Sequence, residues 1–204
     1  VIRPAILWND GRTTEETAYL NEVIGKEKLS QYTANIAFAG FTAPKLLWVK
    51  ENEPELFYPG DVDHVHSPER MGKMSNFISI NGGVQLDLMG QENAESAGSR
   101  QLSGIGGQMD FLEGAFRSRG GRGYICIKSS RRDKEGNLKS NIVPTIPGGS
   151  TISVPRTMVE CVATEYGVAH LHGLSLGERA ATMAAIAHPD FREELYKYAQ
   201  ENFY

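Results

Sequence analysis

Three glycines, Gly104, Gly106 and Gly107, fall within four positions, and Asp110 and Phe111 follow them. Glycine has no Cβ, so its backbone can take positive φ and a ligand or a second segment can come close. A cluster of such residues with free N–H groups can cradle a phosphate, a carboxylate or a developing oxyanion. The G-x-G-G pattern resembles a dinucleotide fingerprint only superficially. That fingerprint needs a preceding strand, a following helix and an acidic residue about twenty positions on. Here Gln101 and Leu102 give only a short lead-in, and the required position falls near Tyr124 to Lys128. Nicotinamide or flavin binding is therefore not expected. No G-x-x-x-x-G-K-[ST] segment is present, which argues against a P-loop. Asp110 either caps the next turn or helix or meets a ligand. His64/His66 and His170/His172 are i, i+2 pairs, each able to face one side of a strand. No Cys or carboxylate cluster at ligand spacing accompanies them, so no metal is expected. Two basic clusters, Arg117/Arg119/Arg122 and Lys128/Arg131/Arg132/Lys134, read as solvated loops or as an anchor for a phosphorylated ligand.

The elements that would position these residues alternate between helical and extended patterns. Residues 13–24 read as a helix, with Thr13 and Glu16 spaced as a capping box. Ile36 to Phe41 reads as a strand, Pro44 to Lys50 as a short helix, 57–60 as a turn, and Ser67-Pro68-Glu69 as another helix start. Strands are expected at 77–81, 84–89, 124–128, 142–146, 151–154 and 158–163, from their β-branched and apolar content. Ser175 with Glu178 forms a second capping box for a helix through Ala187. Pro189 opens a terminal helix with Phe191, Leu195 and Tyr198 at helical spacing, and His188 before it reads as structural. The charged segment from Arg131 to Ser140 reads as an exposed, mobile loop. Strands that are apolar on both faces, mixed with helices, predict an α/β fold with a covered sheet. No linker signal divides the 204 residues, so residues 1–204 read as one domain.

Composition is that of an ordinary globular chain, 40% hydrophobic and 23% charged. A net charge of -4 makes the whole chain no electrostatic match for nucleic acid or an acidic membrane. There is no run of eighteen apolar residues, so no membrane span is expected. Cys126 and Cys161 lie in apolar runs and read as buried free thiols of a reducing, cytoplasmic compartment. The start, VIRPAILWND, has no signal-peptide layout and no Met, which fits a truncated or trimmed chain or the released half of a larger protein.

Outward from the glycines, a set of segments falls in one order. FYPGDVDHV (57–65) leads to FISINGGVQLDLMGQENAES (77–96) and SGIGGQMDFLEGA (103–115). SNIVPTI (140–146), VATEYGVAHLHG (162–173), SLGERA (175–180) and IAHPDFREEL (186–195) follow. This set resembles the C-terminal half of the acetyl-CoA hydrolase/transferase family, and is similar to its 4-hydroxybutyrate and butyryl-CoA:acetate CoA-transferases. The resemblance runs from about Ala34 to the end, with residues 1–33 matching poorly. It implies an open α/β/α CoA-transferase-like domain with a mostly parallel sheet covered by helices, the second of two such domains. It implies coenzyme A and acyl-CoA as substrates, no metal, and transfer of coenzyme A between carboxylic acids through a glutamate-linked thioester. A homodimer and an N-terminal transferase half, in the same or a separate chain, are the implied partners.

By the same resemblance, Asn81 of the SIN segment donates to an oxyanion or orients the nucleophile; otherwise it is a strand-end turn residue. Gly82 and Gly83 give room beside it, and Val84 lines the acyl or pantetheine pocket. Gly106 and Gly107 approach the thioester end of coenzyme A. Glu165 of TEYG tunes or holds a proton beside the nucleophile, or hydrogen-bonds at a strand end. Glu95 reads as structural, since the family's nucleophile lies far upstream. Counting back from Asn81 by the family spacing lands at Leu7 to Asp10, where no Glu stands. Three possibilities follow: Asp10 serves as a shortened nucleophile, Glu15 or Glu16 is brought in by an insertion, or the chain lacks the nucleophile. An Asp would withdraw the carboxylate by one methylene, an expensive error of position. A CoA-ester hydrolase and a non-catalytic CoA-binding subunit are the alternatives to a transferase.

Overall fold

The computed structural model describes residues 11–33, 36–39, 42–56 and 60–204. The chain divides into two compact units, Val1–Asp61 and Val62–Tyr204.

In the first unit a 3-10 turn leads into α1 (Thr14–Tyr19), a π-helical stretch (Leu20–Gly25) and α2 (Lys26–Thr33), and α3 spans Thr42–Asn52. The expected capping box at Thr13 is not formed. The buried Thr13 hydroxyl donates instead to the Ala39 carbonyl at 2.7 Å. The expected strand over 36–41 is also not formed at its described positions, 36–39. The Asn21 side chain takes both backbone groups of Ala37, donating at 2.9 Å and accepting at 3.2 Å. A strand ladder would need those same groups. Of the expected turn at 57–60, only Gly60 lies within the described residues.

The second unit begins with α4 (Val62–Val65) and α5 (Pro68–Gly72), the latter capped by Ser67, whose Oγ accepts from the Arg70 amide. Five strands follow: β1 (Ile78–Gly82), β2 (Gln85–Asp87), β3 (Glu92–Asn93), β4 (Ser96–Ala97) and β5 (Arg100–Gln101). Beyond α6 (Gln108–Arg117) lie β6 (Arg122–Cys126), β7 (Ser130–Arg132), β8 (Leu138–Ser140) and β9 (Ile142–Val143). The chain ends with β10 (Cys161–Thr164), β11 (Gly167–His170), α7 (Leu176–Ala185) and α8 (Pro189–Phe203).

The main sheet has the order β1-β6-β10-β11. β1, β6 and β10 run parallel, and β11 returns antiparallel. A smaller sheet, β3-β2-β9, also has one parallel pair. This is the mixed α/β, mostly parallel architecture expected. Ile125, Val162 and Ala169 lie in register and join Leu112 of α6 and Ala180, Met183 and Leu195 of the last helices in one core.

Two glycines let α6 seat closely. A Cβ on Gly123 would lie 2.8 Å from the Leu112 Cδ2, and one on Gly114 would lie 2.6 Å from the Met71 Cβ. Helix propensity alone disfavours Gly114; packing against α5 overrides it. The box at Ser175 and Glu178 forms in both directions. At the next helix the His188 Nδ1 accepts from the Asp190 amide at 3.3 Å. Within 131–140 the structure holds an exposed hairpin, β7–β8, whose turn uses Gly136 at φ +85°. The expected strand at 151–154 reduces to a single bridge from Val154 to Glu92. Cys161 is buried as expected, but Cys126 is exposed. Strand alternation puts Cys126 on the face opposite Ile125.

Candidate active site

Because β1, β6 and β10 are parallel, their C-terminal ends share one edge of the sheet, the place where open α/β sheets receive ligands. Gly82, Cys126 and Ala163 are in register across that edge. Asn81 sits one residue before it on β1, and its Nδ2 donates to the Ser79 Oγ at 2.8 Å. Glu165 follows the end of β10. Its carboxylate accepts from the Ser129 amide at 3.0 Å and the Ser129 hydroxyl at 2.7 Å. Desolvation works against its charge, but the Ser129 hydrogen bonds, together with a backbone bond at Glu165 and the nearby His188, outweigh it and hold the carboxyl below the ordinary range. Glu165 is thus an ionised group tied to the loop after β6, not a reservoir for a proton at neutral pH.

The glycines divide by role. Gly104 and Gly106 face open space, and Gly106 has φ +60°, a backbone that a side chain would strain. Gly107 is packed: a Cβ there would lie 2.6 Å from the His66 Nδ1. The His66 ring in turn meets Phe111 edge-on, at 4.9 Å between centroids. Gly107 caps α6 without a side-chain bond, which leaves the first-turn amides free of a side-chain acceptor. Asp110 lies in that first turn and does not cap it.

The turn after Asn81 holds a similar division. Gly82 has open space, as expected, while Gly83 has none. A Cβ on Gly83 would lie 2.5 Å from Oε1 of Glu92 and 3.0 Å from Ile127. Val84 is half-buried, and its amide donates to the Asn93 carbonyl at 2.9 Å. Glu92, on β3, is fully buried. Its Oε2 accepts from the Gln108 Nε2 at 2.7 Å, at the start of α6. Its Oε1 has no hydrogen-bond partner among the described residues. Burial pushes its carboxyl up to about 7, against the opposing bond from Gln108. Sequence reasoning passed over Glu92. Nothing in composition or spacing separates it from Glu95, three positions on; only burial does. The Glu95 carboxylate accepts from the Ser153 hydroxyl at 2.7 Å, and its carbonyl accepts from the Leu102 and Ser103 amides, which fixes the lead-in to the glycines.

The structure therefore sets Gly83 against Glu92, which holds Gln108 just after Gly106 and Gly107, and places Asn81 and Glu165 at the same sheet edge. Asp10 lies outside the described residues. His170 and His172 are elsewhere. They line a cavity of about 330 Å³ with Phe116, Arg122 and Glu160, at the N-terminal ends of the strands. Among the described residues, no group of three or more His, Cys, Asp or Glu could hold a metal.

Comparison with known proteins shows what the chain is similar to. Residues 45–199 match the acetyl-CoA hydrolase/transferase C-terminal domain. Residues 1–61 match the N-terminal domain of the FGGY family of carbohydrate kinases. A butyryl-CoA:acetate CoA-transferase of Anaerostipes caccae is 38% identical over 187 residues, covering 91% of this chain and 42% of its own length. A solved 4-hydroxybutyrate CoA-transferase from Porphyromonas gingivalis is 37% identical with a TM-score of 0.61, over 80% of this chain and 36% of that one. A xylulose kinase of Escherichia coli is 51% identical over 57 residues, 28% of this chain and 11% of its own length. The chain thus spans less than half the length of the transferases it matches.

Proposed function

Since the chain belongs to the acetyl-CoA hydrolase/transferase family through its C-terminal domain, we propose that it moves coenzyme A between a short-chain acyl-CoA and a carboxylic acid. An enzyme carboxylate attacks the acyl carbonyl, forming a mixed anhydride and releasing the thiolate. The thiolate then attacks the enzyme's own acyl carbon, which releases the acid and leaves an enzyme-linked CoA thioester. An acceptor carboxylate takes the same steps in reverse. Relay through the enzyme replaces one poor exchange by steps with good leaving groups.

In this reading Asn81 donates to the oxyanion, with Ser79 orienting its amide. Val84, Gly106 and Gly107 line the coenzyme A end, and Glu165 stands as a second, ionised carboxylate. The observation that carries the reading is the convergence of the Asn81–Val84 turn, the glycine loop and Glu165 at one end of the parallel strands. The relatives' names supply the acid class: acetate, butyrate and 4-hydroxybutyrate. The working form we propose is a cytoplasmic homodimer that includes the N-terminal transferase half.

One finding favours a second reading. The carboxylate counted to the nucleophile's place, Asp10, belongs to the stretch that matches carbohydrate kinases. On this reading the chain binds coenzyme A and the attacking carboxylate comes from another polypeptide. Mass spectrometry of the chain after treatment with butyryl-CoA separates the two. A CoA adduct on the Asp10 peptide supports Asp10 as the nucleophile. Label exchange between acetyl-CoA and free acids only after a transferase N-terminal half is added supports the second reading. Thiol release without an acceptor acid marks a hydrolase. A folded assembly that neither exchanges label with any acid nor binds coenzyme A would sink both.

A further inference from the structure

Glu92 is a carboxyl group in a place that offers it little. It is fully buried, and one oxygen has no hydrogen-bond partner among the described residues. That oxygen lies against Gly83, so closely that no side chain fits between them, and Ile127 closes the same space. The other oxygen holds the Gln108 side chain at 2.7 Å. Gly83 belongs to the turn after Asn81, and Gln108 directly follows Gly106 and Gly107. The backbone of Glu92 is fixed independently, since its amide donates to the Val154 carbonyl and its carbonyl accepts from the Ser153 amide. The side chain is thus a rigidly mounted bracket between two loops that β-sheet pairing does not join.

We propose that Glu92 is a positioning residue for the coenzyme A site, joining the Asn81–Val84 turn to the glycine loop before α6. The inference rests on the coenzyme A reading above. A neutral acid is tolerated where an unpaired carboxylate is not. The groups that face Glu92 from the Gly82–Val84 turn, from the end of β6 and from α6 are Gly83, Ile127 and Gln108, all uncharged. No neighbouring charge contributes to the position of its titration near 7. Ionisation therefore leaves an uncompensated charge in the bracket. The Gln108 bond tolerates that charge, but the unpartnered oxygen against Gly83 is relieved by opening that side to water, so the bracket is held by the protonated form and loosened at the Gly83 turn as pH rises through neutrality.

The test compares the full chain with its Glu92→Gln variant, which keeps an acceptor for Gln108 and cannot ionise. Coenzyme A affinity is measured by titration calorimetry from pH 6 to pH 8. If only the protonated form is competent, wild-type affinity falls about tenfold across that range relative to the variant. Ionisation of the coenzyme A phosphates is common to both proteins and cancels in the ratio. A Gln108→Met variant loses the bond that favours ionisation, so its midpoint moves to higher pH. Equal pH profiles for wild type and Glu92→Gln overturn the inference. Should wild type bind no coenzyme A at any pH, the coenzyme A reading fails, and the bracket is judged by hydrogen exchange instead. Segments 78–88 and 102–112 then exchange faster at pH 8 than at pH 6 in wild type, after correction for intrinsic rates, and not in Glu92→Gln. Identical behaviour in the two proteins overturns the bracket itself.

Discussion

At the scale of single residues, the site is built from groups whose neighbours decide their state. Glu92 and Glu165 are both glutamates near one sheet edge, yet burial pushes one up to about 7 and Ser129 holds the other low. For Glu92 the linkage sign is that of an acid with a raised folded-state value. The native state binds the proton more tightly, so its contribution is complete below about pH 4.5 and is lost as pH rises through 7. Raising a carboxyl from 4.5 to about 7 corresponds to about 3 kcal/mol. Urea melts of wild type should therefore weaken between pH 5 and 8, and those of Glu92→Gln should weaken much less. A second expectation concerns the glycine pair. Gly83→Ala forces a Cβ into Glu92 and Ile127 and should cost about 1–3 kcal/mol of stability in denaturant melts. Gly82→Ala meets open space and should stay within about 0.5 kcal/mol. Glu165 gives a third. Ser129→Ala removes the hydroxyl bond, so the Glu165 titration followed by NMR should move up toward the ordinary carboxylate range.

Among the elements, those with a chemical start signal were legible. Ser175 with Glu178 and Pro189 after His188 mark two helices, and both form. Ser175→Ala should lower stability by about 1 kcal/mol in thermal or urea melts, through loss of the cap on α7. The same spacing misled at Thr13, where a tertiary acceptor, the Ala39 carbonyl, takes the hydroxyl. The helix α6 was not placed from sequence beyond the reading that Asp110 could cap a following turn or helix, and Gly114 in its interior has low helix propensity. It is seated by α5 against Gly114 and by Leu112 against Gly123 of β6, contacts distant in sequence. Asn81, Glu165 and the glycines carried a family pattern and could be named from sequence. The bracket between the Gly83 turn and the glycine loop could not, because the residue that makes it, Glu92, resembles any surface glutamate until the fold buries it.

At the scale of the molecule, every residue of the main core among the described residues falls between Leu86 and Ala199, inside the second unit. A chain of residues 62–204 alone should therefore unfold in one cooperative transition in a denaturant melt. A broad, non-cooperative transition would contradict this. The boundary at Asp61 carries no linker signal in composition; packing sets it there, where the match to carbohydrate kinases also ends. The glycine pattern, the ordered motifs and the capping boxes are local or serial features. The sequence by itself therefore determined the family, the α/β class and most of the groups at the sheet edge. Tertiary structure alone decided which glycines are open and which are packed, that Glu165 stays ionised, and that a buried carboxyl joins the two loops. Those outcomes depend on desolvation and on contacts between distant segments, and neither quantity is written in the spacing of residues along a chain.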